Sequence, residues 1–114
     1  MRLREPAVLA LLLGAVLAVT GAVAAPTWAD DRGVVVVRTV EVAVAPGVFI
    51  PRPETEVMTG WAIERLRALD GEPVVVELGA GSGASSAAIA AERPGCRQYA
   101  VELSADAARM AEAN

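Results

Sequence analysis

The sequence predicts an α/β fold with parallel strands, preceded by a short β segment and an apolar N-terminal helix. Residues 55–69 carry apolar side chains at helical spacing, and residues 74–78 form the apolar run VVVEL. A glycine-rich loop at 79–83 leads into the alanine-rich residues 84–93, and a second strand at 98–102 precedes a last helix over 105–114. This alternation of helices and strands favours a parallel sheet.

Composition places the chain among folded proteins and limits its chemistry. Hydrophobic residues make up 54% of the 114 residues and charged residues 21%, which excludes a disordered chain. The net charge of -4 offers no basic surface, so we expect no direct binding to nucleic acid. Cys96 is the only cysteine and histidine is absent, so we predict no metal site. Any chemistry must then use carboxylates, backbone groups or a bound cofactor.

Residues 1–29 form the first predicted domain, a signal-like or anchor segment. Arg2 and Arg4 give it a positive start, residues 6–29 are uncharged, and Ala22-Val23-Ala24 fits a small-residue cleavage pattern. The uncharged run also approaches the length that spans a bilayer. The segment therefore suggests export or contact with a membrane. A shifted reading frame or misassigned start, and a buried helix, are the alternative interpretations.

Residues 30–53 form the second predicted domain, a β-hairpin or linker. A polar break at 30–33 precedes two β-branched runs, 34–37 and 40–44, which suit two short strands or one long bent strand. Prolines 51 and 53 then interrupt regular structure. The third domain, residues 54–114, begins with a helix, and its predicted apolar stripe consists of Val57, Trp61, Ile63, Leu66 and Leu69.

The candidate site lies where the strand at 74–78 ends. Glycines allow the backbone to turn sharply there and to approach a ligand. An acidic residue about 20 positions further on, at the end of the next strand, can accept hydrogen bonds from both hydroxyls of a ribose. Glu77, inside the first strand, suits a cationic end of the ligand. The predicted cofactor-binding residues are Glu77, Gly79, Ala80, Gly81, Ser82, Gly83 and Glu102.

Two cofactors are compatible with this loop. Gly79, Gly81 and Ala84 satisfy the pattern G-x-G-x-x-G/A, which indicates NAD and an oxidoreductase. The acidic Glu77, together with Gly83 closing a G-x-G-x-G loop, favours S-adenosyl-L-methionine.

The segment PGVFIPRPETE at residues 46–56 resembles the signature that precedes the catalytic domain of the peptide chain release factor N5-glutamine methyltransferases. The loop at 79–83 is similar to the cofactor loop of this family, and AVELS at 100–104 to its ribose-binding strand end. The resemblance extends over residues 38–114. It implies a partial Rossmann-like class I methyltransferase domain with the first two parallel strands, and S-adenosyl-L-methionine as the cofactor.

The resemblance also implies a partner, a location and a reaction. The partner would be a peptide chain release factor, methylated in the cytoplasm on the glutamine of its Gly-Gly-Gln motif, with Arg52 and Glu54 at the entrance of the pocket. The family's Asn-Pro-Pro-Tyr catalytic loop does not occur in this sequence. We therefore predict no catalytic residue and expect this chain, as the first half of the domain, to be inactive alone.

Two features depart from the family pattern. The apolar residues 1–29 stand in place of the family's helical substrate-recognition domain, and Ser85 and Ser86 occur where apolar residues are expected to pack the first helix on the sheet. An exported or membrane-anchored non-enzymatic remnant is therefore a further hypothesis. The sequence leaves the oligomeric state open.

Overall fold

A computed structural model describes residues 8–12 and 33–114 of the chain. Within these residues the elements are listed in chain order as β1 Val8–Leu12, β2 Val34–Val37, β3 Val40–Ala43, α1 Pro53–Arg67, β4 Val74–Leu78, α2 Ala84–Glu92, β5 Arg97–Val101 and α3 Ala105–Ala113. The predicted strand at 74–78 is confirmed, and the other elements of residues 54–114 begin and end close to their predicted positions.

The central sheet is parallel, as the alternation of elements predicts. Its strand order is β1-β4-β5, with β4 in the middle. Val74 pairs with Arg97 and Leu78 with Val101, so the carboxyl ends of β4 and β5 lie at the same edge of the sheet. This arrangement brings the loop after β4 next to Glu102, which directly follows β5.

The strand β1 corrects the prediction of an apolar N-terminal helix. Residues 8–12 pair in parallel with β4, from Val8 opposite Val74 to Leu12 opposite Leu78. A central strand needs backbone partners on both edges, and an extended apolar segment supplies them where a helix cannot. The rest of the predicted signal-like or anchor segment, including the cleavage pattern at 22–24, lies outside the described residues.

Residues 34–43 form an antiparallel hairpin, the first of the two predicted alternatives. Val34 pairs with Ala43 and Val37 with Val40, which leaves Arg38 and Thr39 as the two-residue turn. Arg38 adopts a left-handed conformation with φ 54°. Positive φ in the first turn residue matches the twist of tight hairpins, although glycine or asparagine is the usual choice there.

Helix α1 begins at Pro53, two residues earlier than predicted. Proline suits the first helical position because the backbone N–H that it lacks would have no partner there. The predicted apolar stripe is wrong at Val57 and Trp61, which are 75% and 53% exposed. The buried face uses smaller side chains that a hydrophobic pattern underweights, and it consists of Thr59, Ala62, Ile63 and Leu66.

Two apolar clusters form the core of the described residues. The first packs α1 and α2 on one face of β4 and contains Ala62, Ile63, Leu66, Val75 and Ile89. The second packs the hairpin against the start of α2 and contains Val35, Val37, Val42 and Ala84. Helix α2 belongs to both clusters and therefore joins the hairpin to the sheet.

Ionic contacts also connect the hairpin to the helices. The Arg38 guanidinium donates to both carboxylate oxygens of Glu92, with Nε–Oε1 and Nη2–Oε2 distances of 2.7 and 2.8 Å. The backbone N–H of Arg38 also donates to Glu56 at 3.2 Å. The hairpin turn is thus held to α1 through Glu56 and to the end of α2 through Glu92.

The C-terminal end of α1 is stabilised by a side chain from beyond α2. The Arg93 guanidinium donates to the carbonyls of Leu66, Leu69 and Gly71 over 3.2 to 3.4 Å. The last carbonyls of a helix have no partners within it, and cationic donors at this end also interact favourably with the helix dipole. Arg93 therefore holds the C-terminal ends of α1 and α2 together.

None of the helices that the structure describes has the length and apolar character needed to cross a membrane.

Candidate functional site

The loop between β4 and α2 is fastened to the end of β5 by backbone hydrogen bonds. The N–H groups of Gly79 and Ala80 donate to the carbonyl of Val101 at 2.8 and 3.1 Å. The N–H of Gly83 donates to the carbonyl of Ala80 at 2.9 Å and closes the turn into α2. The loop is therefore built across the carboxyl edge of the two strands.

Two of the loop glycines leave space beside the backbone. Gly79 and Gly81 have φ values of 76° and 57°, which side chains other than glycine adopt at a cost. A Cβ atom added at either position would meet no heavy atom of the described residues within 4 Å. A ligand can therefore approach the main chain closely at these two residues.

Glu102 faces the loop from the end of β5, as predicted from its spacing. Its Oε2 accepts from the backbone N–H of Gly81 at 2.7 Å, and its Oε1 accepts from the N–H of Ser104 at 2.9 Å. These hydrogen bonds, first from Ser104 and then from Gly81, hold the pKa of the Glu102 carboxyl below its ordinary value. Glu102 is therefore a fixed carboxylate with lone pairs left for further donors.

Glu77 lies beneath the loop and is only 2% exposed. Its Oε2 accepts from the hydroxyl of Ser86 at 2.5 Å. Burial raises the pKa of the Glu77 carboxyl, hydrogen bonds from Ser86 and Ser85 oppose this rise, and the charge of Glu102 adds to it. The carboxylate thus sits at the first turn of α2, where unpaired N–H groups and the helix dipole favour a negative charge.

A buried hydrogen bond between α1 and α2, which was not predicted from the sequence, lies next to the site. The hydroxyl of Thr59 donates to the hydroxyl of Ser85 at 2.9 Å, and both residues are almost completely buried. Ser85 and Ser86, which departed from the expected apolar pattern, are therefore the partners of buried polar groups. Their departure was the available signal, whereas nothing in the sequence pointed to Thr59.

Ser82 and Gly83 complete the loop and contact the last helix. The carbonyl of buried Ser82 accepts from the Asn114 side-chain amide at 2.8 Å. A Cβ atom on Gly83 would lie 3.0 Å from Cα and Cβ of Ala111 in α3. Helix α3 therefore packs directly on the back of the loop.

The two residues expected at the pocket entrance lie at the start of α1. The Arg52 guanidinium stands 4.9 Å from the ring centroid of Phe49. Glu54 lies in the first turn of α1 and is exposed. The structure thus brings Gly79 to Gly83, Glu77 and Glu102 together in one site, while Arg52 stacks on a neighbouring aromatic ring.

A buried parallel strand, a glycine loop, a helix and a carboxylate at the end of the next strand define an α/β unit of the class that binds nucleotide-like cofactors. Comparison with known proteins identifies the relatives of this unit. The chain is 53% identical over 78 residues to the release factor glutamine methyltransferase of Streptomyces coelicolor, a match that covers 68% of this chain and 28% of that protein. The predicted resemblance to this family is confirmed.

Two further relatives extend the comparison. The release factor glutamine methyltransferase of Bifidobacterium longum is 38% identical over 118 residues, covering 92% of this chain and 40% of that protein. A 4-amino-L-phenylalanine/4-methylamino-L-phenylalanine methyltransferase of Streptomyces pristinaespiralis is 47% identical over 74 residues, covering 61% of this chain and 25% of that protein. The Bifidobacterium match reaches further toward the N-terminus than the expected residues 38–114.

The chain spans between a quarter and two fifths of the length of these relatives. No protein-family model matches it, and no solved structure matches it.

Proposed function

We propose that the chain is the cofactor-binding part of an S-adenosyl-L-methionine-dependent protein methyltransferase. The methyl acceptor is the side-chain nitrogen of the glutamine in the Gly-Gly-Gln motif of a peptide chain release factor. The reaction takes place in the cytoplasm. The observation that carries the proposal is a glycine loop open to a ligand, with the Glu77 carboxylate beneath it and the Glu102 carboxylate hydrogen-bonded to its Gly81 N–H.

The residues present fit the cofactor's adenosine. The open backbone at Gly79 and Gly81 accommodates a closely approaching group, and Glu102 has spare lone pairs for the two ribose hydroxyls. Because two backbone N–H groups already fix the carboxylate, it need not be ordered when the ligand arrives. We therefore assign the ribose to Glu102 and the turn around the ligand to residues 79–83.

The electrostatics of the loop favour a cationic ligand over a pyrophosphate. S-adenosyl-L-methionine carries a sulfonium, an ammonium and a carboxylate group and is a net cation, whereas NAD presents its pyrophosphate to the N-terminus of the helix. Here the Glu77 carboxylate already occupies the first turn of α2, and the N–H groups of Gly79, Ala80, Gly81 and Gly83 donate to protein acceptors. A pyrophosphate would meet negative charge and few free donors.

When bound, S-adenosyl-L-methionine supplies an electrophilic methyl group on its sulfonium. The residues of this chain bind and orient the ligand around that group: the loop holds the backbone contacts, Glu102 the ribose, and Glu77 the cationic aminoacyl end. Methyl transfer depends strongly on alignment of donor and acceptor. Because the sequence has no Asn-Pro-Pro-Tyr loop to orient an amide, we expect the chain to bind the cofactor and to transfer its methyl group poorly by itself.

The choice of acceptor follows the majority of the named relatives. The release factor methyltransferases and the 4-amino-L-phenylalanine methyltransferase share this segment with the chain, so the segment carries what they have in common. The PGVFIPRPETE segment at residues 46–56 favours the release factor reaction.

Calorimetric titration of the purified full chain with S-adenosyl-L-methionine and with NAD tests the proposal. We expect binding of the first only, and a loss of affinity of about tenfold in Glu102→Gln, because a charged acceptor becomes a neutral one. Glu112→Gln, which changes an exposed glutamate of α3, is the matched control and should bind normally.

The other outcomes separate the alternatives. Binding of NAD alone would indicate an oxidoreductase fragment. Binding of neither ligand by a folded chain, combined with processing near Ala24 in an export assay, would indicate the exported non-enzymatic remnant.

A further inference from the structure

Three hydroxyl groups connect helix α1 to the buried carboxylate of the cofactor loop. Thr59 donates its hydroxyl proton to the Ser85 oxygen at 2.9 Å, and the neighbouring Ser85 hydroxyl lowers the pKa of Glu77. Ser86 donates to Glu77 at 2.5 Å from the next position of α2. We call Thr59, Ser85 and Ser86 the hydroxyl network.

The network is polar where packing alone would favour apolar side chains. Thr59 and Ser85 are buried between α1 and α2, beside a cluster of purely apolar residues. A buried hydroxyl or carboxylate is costly unless it is hydrogen-bonded. In the network each group provides the partner that another needs, so the set is satisfied as a whole while any one member alone would not be.

We propose that the hydroxyl network is a positioning device for the cofactor, which holds the Glu77 carboxylate toward the cationic aminoacyl end of S-adenosyl-L-methionine and couples α1 to the loop. The proposal rests on the proposed function for the identity of the ligand. Thr59 acts through Ser85, and Ser85 and Ser86 act through Glu77, so all three are positioning residues.

The hydroxyl network opposes the rise in the pKa of Glu77 that its burial and the neighbouring charge cause. Among the described residues, the charged group that acts on this carboxylate is Glu102, at the end of β5. Both burial and Glu102 raise the pKa of Glu77, while the serine hydrogen bonds lower it. Removing a hydroxyl therefore raises the pKa further, and the carboxylate loses its charge at a higher pH.

We expect the affinity for the ligand to fall at low pH. The ammonium of the aminoacyl end binds the ionised form of Glu77, so affinity weakens as pH falls through the raised pKa of this carboxyl. In Ser86→Ala and Thr59→Val we expect the weakening to begin at a higher pH than in the unaltered chain. If these residues only packed the two helices, their substitution would not change the pH at which the affinity weakens.

Two ligands distinguish positioning of the aminoacyl end from general damage to the loop. S-adenosylhomocysteine carries the aminoacyl end, whereas methylthioadenosine keeps the adenosine and lacks it. In calorimetry on the full chain we expect Ser86→Ala to lose about tenfold in affinity for S-adenosylhomocysteine, and Thr59→Val somewhat less, because each removes a hydrogen bond to or toward a charged group. Affinity for methylthioadenosine should stay unchanged.

Matched variants control for folding. Thr59→Ser retains the hydroxyl and should bind like the unaltered chain, and Thr39→Val removes an exposed hydroxyl from the hairpin turn and should have no effect on binding. Equal loss for both ligands, or no loss for either, would overturn the proposal.

A carboxyl-carbon NMR titration of Glu77 in the ligand-free chain gives a second readout. We expect the pKa of Glu77 to rise in Ser86→Ala and in Thr59→Val and to return to its starting value in Thr59→Ser. An unchanged pKa would refute the network even if S-adenosyl-L-methionine binds. A shifted pKa in a chain that binds no S-adenosyl-L-methionine would instead refute the proposed function, and with it the role of the network in binding.

Discussion

At the scale of single residues, Gly83 meets two geometric requirements at once. It adopts φ 79° as the residue that precedes α2, and its Cα faces the backbone of Ala111 in α3. The first requirement favours glycine for conformational reasons, and the second leaves room for a Cβ atom only if the backbone of α3 shifts by a few tenths of an ångström. The closing glycine of the loop is therefore also the contact surface for α3.

Substitution of Gly83 separates these two effects when it is compared with Gly71. Gly71 has a similar φ of 77° and no heavy atom within 4 Å of an added Cβ. We expect Gly71→Ala to lower the free energy of unfolding by about 1 kcal/mol, the cost of a left-handed alanine. Gly83→Ala should lose about 1 to 3 kcal/mol more, because the added methyl overpacks the contact with α3. Urea denaturation measures both values, and equal losses would show that α3 yields freely.

Residue spacing was sufficient to predict the pairing of the loop with Glu102, since the strand–loop–helix–strand pattern fixes where a following strand must end. It was insufficient for Thr59, because a threonine inside a helix has the same sequence signal whether it faces solvent or a buried serine. Val57 and Trp61 illustrate the converse. Their size suggested burial, but Ala62 and Thr59 occupy the packed face.

At the scale of elements, helix α3 is capped at its N-terminus by Ser104. Ser104 is extended, and its hydroxyl accepts from the N–H of Ala107 at 3.3 Å. Its own N–H donates to Glu102. One residue therefore begins α3 through its side chain and fixes the Glu102 carboxylate through its backbone.

We expect Ser104→Ala to lower the free energy of unfolding by about 1 kcal/mol, because the first turn of α3 loses its side-chain acceptor. Ser104→Asp restores an acceptor and adds favourable charge at the helix N-terminus, so it should be close to the unaltered chain in stability. Thermal unfolding followed by circular dichroism compares the three proteins. A stable Ser104→Ala protein would mean that packing on Gly83, rather than the cap, holds α3.

The elements that are specified by nearby residues were predicted well. Strand β1, which depends on pairing with a distant strand, was not. Strand β4 and helices α2 and α3 follow from their own periodicity and from their bounding glycines, prolines and serine. The apolar residues 8–12 contain no such boundaries, and what makes them extended is the free edge of β4, far along the chain. An apolar run is compatible with helix or strand until its partner is known.

At the scale of the whole molecule, the described core depends on few large side chains. Ile63, Leu66 and Ile89 are completely buried, and the cluster around them is completed by Ala62 and Val75. The exposed apolar side chains include a group around β5, where Tyr99 and Val101 are about half exposed and Leu103 is fully exposed. Among the described residues, β5 is an outer strand of the sheet and the apolar side chains around it are accessible to solvent.

A pair of leucines tests this division between core and surface. Leu66→Ala should lower the free energy of unfolding by about 2 to 5 kcal/mol, because it leaves a cavity between α1, α2 and β4. Leu103→Ala removes a side chain that contacts solvent and should change it by less than about 0.5 kcal/mol. Chemical denaturation of both variants measures the difference, and similar losses would mean that the cluster around Leu66 does not form the core.

The pairing of β1 with β4 has a consequence for the order of events during synthesis. Val8 leaves the ribosome long before its partner Val74, so β1 cannot pair with β4 while the hairpin and α1 are being made. Contacts between residues so distant in sequence form slowly, because closing a long loop costs entropy before any contact repays it. During that interval the hairpin can fold from local contacts alone. Strand β1 is then the last strand to join the central sheet.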